Sequence, residues 1–275
     1  MKLLTQRKRK KLAFGLFDYP TRKLRGEPSF LIVGAEKAGT TSLFDYVNQH
    51  PEVAVGHRKE VQYFSRYFCH SWDWYRAHFP LENTLREKIC GEASPYYLFH
   101  PLAAERIHGC LPQCKILILL REPVARSISQ YYHEVAKGRE HLSLPEAFET
   151  ESQRLEQEFF KMRSPRYVPF KHEHFSYIAK SSYVEQVERY FAVFPRSQVM
   201  VIQSEVFFRE TPRVVKKVFE FLGVDPTFVP PNLQPMNVGK KKSSSLPADL
   251  EQELRQYFAV KNAELYKLLG EAFDW

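Results

Sequence analysis

Apolar positions along this chain follow two alternating patterns. Short continuous runs, bounded by glycine, proline or charge, occur at Phe30–Val33, Val53–Val55, Ile89–Glu92, Lys115–Leu120 and Val199–Gln203. Their length and β-branched content predict buried strands, because a strand covered on both faces reads as an unbroken apolar run. Between them lie stretches with helical spacing: Thr41–Gln49, Pro123–Lys137, Leu144–Met162, Tyr177–Phe194, Thr211–Leu222 and Pro247–Leu269, the last with Val260 as a candidate break. The alternation predicts an α/β fold, a single domain with a central parallel sheet flanked by helices. A length of 275 residues suits one doubly wound domain, and the chain shows no repeat and no low-complexity linker. The aromatic stripe Tyr183, Tyr190, Phe191 and Phe194 is expected to be core.

Two strand ends carry chemistry. The first run breaks into Gly34-Ala-Glu-Lys-Ala-Gly-Thr-Thr-Ser42. Gly34 and Gly39 let the backbone turn, and a helix starting near Thr40 or Thr41 aims its amides and positive end at one point. Lys37, the backbone from Ala38 to Ser42, and the hydroxyls of Thr40, Thr41 and Ser42 are thus expected to converge on an anion. The order G-x-x-K-x-G-T-T differs from the nucleotide-triphosphatase loop, whose lysine directly follows the second glycine. Moving the lysine into the loop suits a bridging oxygen. The second feature is Arg121 at the end of Lys115–Leu120, where open α/β sheets place ligands. Its planar fork matches phosphate, and Ser129 adds a hydroxyl from the next helix.

The first loop resembles the 5′-phosphosulfate loop of sulfotransferases that use 3′-phosphoadenosine 5′-phosphosulfate (PAPS), a superfamily with a P-loop-like nucleotide fold. His50-Pro-Glu-Val-Ala-Val-Gly-His-Arg-Lys-Glu-Val-Gln-Tyr-Phe64 resembles the heparan-type segment in which a glutamate follows the loop helix and precedes an aromatic pair, and the matching residue is Glu60. Ile116 to Tyr132 resembles the second nucleotide motif, with Arg121 and Ser129 at the positions assigned to the 3′-phosphate. Leu269 to Trp275 resembles the last residues of the heparan-type enzymes. Asn237 to Ser243, with Lys240 and Lys241, stands where the family closes a basic loop over the nucleotide. The resemblance implies PAPS as cofactor, PAP as product, no metal, and a carbohydrate or other small hydroxyl or amine acceptor.

Sulfuryl transfer, like phosphoryl transfer, is a loose in-line displacement that rests on positioning and on neutralising the leaving oxygen. Lys37 is the candidate for that oxygen and Glu60 the candidate general base, with Glu92 a rival expected to face the same crevice. The heparan-type enzymes read Glu-Lys-Thr-Pro where this chain has Glu92-Ala93-Ser94-Pro95, so a functional lysine is replaced by Ala93. The basic, aromatic segment Lys161 to His174 is a candidate acceptor lid or a plain connection.

Charge narrows the partners. Residues 1–25 carry a net +8, the whole excess of the chain, while residues 26–275, the expected sulfotransferase domain, are balanced. The basic tail is expected to be mobile, and no nucleic acid beyond the cofactor is expected to bind. Four cysteines, Cys69, Cys90, Cys110 and Cys114, are too few for a disulfide scaffold and are expected to be reduced. The family's C-terminal disulfide has no counterpart, because no cysteine follows Cys114. With no long apolar segment, the expectation is a soluble, cytoplasmic protein, Golgi-lumenal only if an anchor lies outside this sequence. Two alternatives stand: a P-loop kinase, disfavoured by the displaced lysine, and a nucleotide-binding scaffold that has lost turnover.

Overall fold

The computed structural model describes residues 19–236 and 247–275. Four parallel strands, β1 (Phe30–Gly34), β2 (Gly91–Ala93), β3 (Lys115–Leu120) and β4 (Val199–Gln203), form one sheet in the order β2-β1-β3-β4. Phe30 lies beside Gly91 on one side and Lys115 on the other, and Ile116 pairs with Val199. Every residue of β1 is buried, as is β3 from Ile116 to Leu120, which accounts for their unbroken apolar runs. The expected strand at Val53–Val55 is reduced to one bridge, Val53 to Ile89, and β2 starts two residues later than expected.

Two apolar clusters result. The larger surrounds the sheet and takes in Leu43, Tyr46 and Val47 from helix Thr40–Asn48, Val187 and Tyr190 from helix Val184–Val193, and Val215, Val218 and Phe219 from helix Thr211–Leu222. Tyr183, Tyr190 and Phe194 are buried in it as expected, with Phe191 partly buried against it. The smaller cluster joins helix Pro123–Ala136 to Phe148, Tyr177 and the long helix Ala248–Leu269, which runs through Val260 without a break.

The other differences lie beside this second cluster. The expected helix Leu144–Met162 is three pieces, Leu144–Glu149, Glu151–Leu155 and Glu158–Lys161. The Thr150 hydroxyl bonds back to the Glu146 carbonyl, which competes with helix continuation. Buried Glu151 accepts the amides of Tyr177, Ile178 and Ala179 where only a short 3-10 turn, Ala179–Ser181, forms, and helix Val184–Val193 begins later than periodicity predicted.

Candidate active site

The order of the strands places a topological switch between β1 and β3, because the chain leaves β1 for β2 on one side and returns to β3 on the other. Open α/β sheets bind ligands at the carboxyl ends of such strands. Both predicted anion features end there. Gly34 closes β1 against Leu98, whose Cβ lies 2.4 Å from where a Cβ on Gly34 would stand, so only glycine fits. The loop then turns through Lys37 at φ 70° and Gly39 at φ 98° into helix Thr40–Asn48. No side chain caps that helix, so its first-turn amides are available to an anion. Left-handed Lys37, a non-glycine residue, is the kind of backbone outlier found at ligand clamps.

The ends of β3 and β4 brace the loop. Arg121 donates Nη1 to the Lys37 carbonyl at 3.1 Å, and Ser204, just past β4, donates Oγ to the Ala38 carbonyl at 2.8 Å. Burial pushes the Lys37 ammonium below its usual range; Glu36 opposes this and Arg121 adds to it. Arg121 is thus a partner of the loop and not of Glu122, whose carboxylate caps helix Pro123–Ala136 through the amides of Val124 and Ala125 at 3.0 and 2.6 Å. Ser129 is partly exposed on that helix. His133, one turn further on, was not singled out in the sequence: burial and then Lys37 hold its imidazole below the ordinary range. Its signal was the spacing i, i+4 from Ser129.

Two hydroxyls of the loop helix serve the fold. Thr41 Oγ1 accepts from Lys59 Nζ at 2.6 Å, and buried Ser42 Oγ accepts the amide of Met236 at 2.8 Å. Lys59 also pairs with Glu60 at 3.3 Å, so a lysine absent from the sequence-based site ties the candidate base to the start of the anion helix. The Glu60 side chain is 45 % exposed and open to an incoming acceptor.

Glu92 is placed differently from Glu60. Its carboxylate is fully buried and accepts from Tyr75 OH at 2.8 Å, Tyr97 OH at 2.9 Å, Val61 N at 2.8 Å and Ser94 Oγ at 2.7 Å. It was expected to face the crevice; the structure encloses it beneath the segment that follows Glu60. Burial raises its pKa, against the pull of these four donors. Ala93 pairs its amide with the Lys59 carbonyl at 3.0 Å and is itself fully buried.

On the acceptor side, the segment suggested as a lid folds inward at its end. Glu173 and His174 of helix Phe170–His174 are buried, with Arg66 on the Glu173 carboxylate and Lys180 donating to the Glu173 carbonyl. Lys180 also pairs with Glu36 inside the anion loop. Lys240 and Lys241 lie outside the described residues. All four cysteines are free thiols, and no helix among the described residues is long and apolar enough to cross a membrane.

Comparison with known proteins places this geometry. A solved sulfotransferase from Alicyclobacillus acidocaldarius superposes with a TM-score of 0.74 at 35 % identity, covering 90 % of this chain and 98 % of that one. The membrane-associated sulfotransferase kil1 of Dictyostelium discoideum is 27 % identical over 92 % of this chain and 67 % of its own length. Heparan sulfate glucosamine 3-O-sulfotransferase 6 of Mus musculus is 26 % identical over 90 % of this chain and 73 % of its own. The sulfotransferase domain model matches residues 27–256, from just before β1 into the last helix, and the chain belongs to the PAPS-dependent sulfotransferases.

Proposed function

We propose that the chain transfers the sulfuryl group of PAPS to a hydroxyl or amine of a carbohydrate, without a metal. The observation that carries this reading is the meeting of Arg121 with the lysine loop at the switch point, where one guanidinium nitrogen fixes the Lys37 carbonyl and others remain to bind a ligand. The uncapped helix start and the left-handed turn fit an anion of phosphosulfate type. PAPS, when bound, supplies the activated sulfuryl group. Ala38 to Ser42 bind it through backbone amides, and Arg121 with Ser129 takes the 3′-phosphate. Lys37 neutralises charge on the leaving oxygen, a role aided by the partial burial of its ammonium.

Glu60 takes the acceptor proton. Its exposure supports this role, and the Lys59 bridge holds it beside the anion helix. Glu92, enclosed below, positions the Glu60 segment through the Val61 amide. The carbohydrate acceptor rests on the relative named for heparan sulfate glucosamine. Free thiols support a cytoplasmic setting, while the membrane-associated relative makes a membrane surface its competitor, and cell fractionation decides between them.

The test is calorimetry with PAP and with ATP in the presence of chelator. PAP binding that chelator does not weaken is expected, while ATP binding with no PAP binding would overturn the reading in favour of a kinase.

A further inference from the structure

Glu36 is a misplaced charge for an anion loop. It adjoins Lys37, and an unneutralised carboxylate there would repel a phosphosulfate. Its partner is Lys180, only 2 % exposed, reached across 144 residues of sequence. The same ammonium donates to the Glu173 carbonyl, and the rings of Tyr96 and Phe99 face it at 5.3 and 5.6 Å. Burial pushes the Glu36 carboxyl up, but Lys180, joined by Arg126 and His174, holds the group below its usual range.

We infer that Lys180 is a positioning residue that cancels the Glu36 charge and locks the cofactor loop to the acceptor-side helix Phe170–His174. The inference rests on the PAPS reading above. Removing one member of a buried ion pair strands the other, whereas removing both leaves no uncompensated charge. Lys180 touches no reacting atom. It acts through two others: the Glu36 carboxylate, which sets the electrostatics of the loop, and the Glu173 backbone, which sets where the acceptor segment sits. Arg66 pairs directly with the Glu173 carboxylate, so the ion pair of Lys180 is with Glu36 while its field reaches both acids.

A double-mutant cycle on PAP affinity decides the matter, measured by calorimetry with the full chain. Lys180→Met is expected to weaken PAP by about 10-fold or more, because it leaves Glu36 charged and without its ion-pair partner. Glu36→Gln is expected to bind PAP within about 3-fold of wild type or tighter, and the combination Glu36→Gln with Lys180→Met to return to within about 3-fold. Such a rescue is not expected if Lys180 only fills space. Amide exchange adds a second readout: PAP should slow exchange at residues 170–176 in wild type and fail to do so in Lys180→Met.

Unchanged PAP affinity in Lys180→Met, or a double variant as weak as it, would overturn the inference while leaving the cofactor reading intact. If Lys180→Met fails to fold, a folded, PAP-binding double variant supports the charge argument, and a double variant that also fails to fold overturns it. No PAP binding by wild type would remove the cofactor reading and this inference together.

Discussion

The proposed cofactor side and the proposed acceptor side of the crevice are built by different means. On the cofactor side, β1, β3 and β4 end together, and short contacts from the ends of β3 and β4, Arg121 to Lys37 and Ser204 to Ala38, shape the loop. On the acceptor side, helices of four to six residues are held by buried carboxylates that accept backbone amides or hydroxyls. Glu151 takes three amides at 2.7 to 2.8 Å, and Glu140 takes Tyr177 OH at 2.6 Å and Arg154 at 2.7 Å. Regular geometry supplies the first scaffold, and polar staples supply the second. A sheet end can hold one fixed anion, whereas stapled segments can be re-spaced without disturbing the main core.

The contrast between Glu60 and Glu92 gives the largest expected effect. Glu60→Gln should cut single-turnover rate by about 10²–10⁴-fold while PAP affinity holds, since it removes a base and leaves the size of the side chain. Glu92→Gln should instead lower the melting temperature, because an amide nitrogen replaces one of two acceptor oxygens, each of which two donors now use. Near-normal turnover in Glu60→Gln, with turnover abolished and PAP binding kept in Glu92→Gln, would transfer the base to Glu92.

Next in size is Lys37→Ala, expected to slow transfer to every acceptor by about 10²–10³-fold. An effect confined to one acceptor would place Lys37 on the acceptor side and blur the division. Arg121→Ala should weaken PAP by about 10–100-fold, the worth of a lost charge-assisted contact, and weaken 5′-AMP far less. Equal losses would refute the assignment to the 3′-phosphate.

The smallest effect tests the staples. Burial pushes the Glu140 carboxyl up, but Arg154, the Tyr177 hydroxyl and the Leu142 amide outweigh it and hold the group below the ordinary range. An acid depressed in the folded state stabilises above its unfolded pKa, near 4.3, and loses that stability as pH falls through the folded value. Melting curves between pH 6 and about 3 should therefore fall less steeply for Glu140→Gln than for wild type. Parallel curves would show that Glu140 is not a pH-dependent staple.

How much was legible follows the same division. β1, β3 and β4 could be placed because each is a continuous apolar run in local sequence, and the loop because glycine and lysine spacing is local too. The three-piece region between Leu144 and Lys161 could not, since its apolar period is helical throughout and marks neither the Thr150 hydroxyl bonding back to Glu146 nor the reach of Glu151 to Tyr177 to Ala179. In the site, Lys37 and Arg121 were visible as charges at predicted strand ends, and Glu60 through the resemblance of its segment to the heparan-type enzymes. Lys59 on Thr41 and Lys180 on Glu36 were not, because pairs separated by 18 and 144 positions leave no periodic trace. Glu92 shows the converse: a strand-end carboxylate reads as crevice-facing until Tyr75 and Tyr97 are seen to enclose it.

Ala93 carries a consequence for redesign. The heparan-type pattern puts a lysine at this position, yet here the side chain has no exposure and its strand neighbour is Ile32. Grafting that lysine alone would drive an ammonium into apolar packing, at a cost that its pKa would have to absorb. Arg58, by contrast, is exposed one residue before the Lys59 bridge and can be exchanged without repacking the sheet.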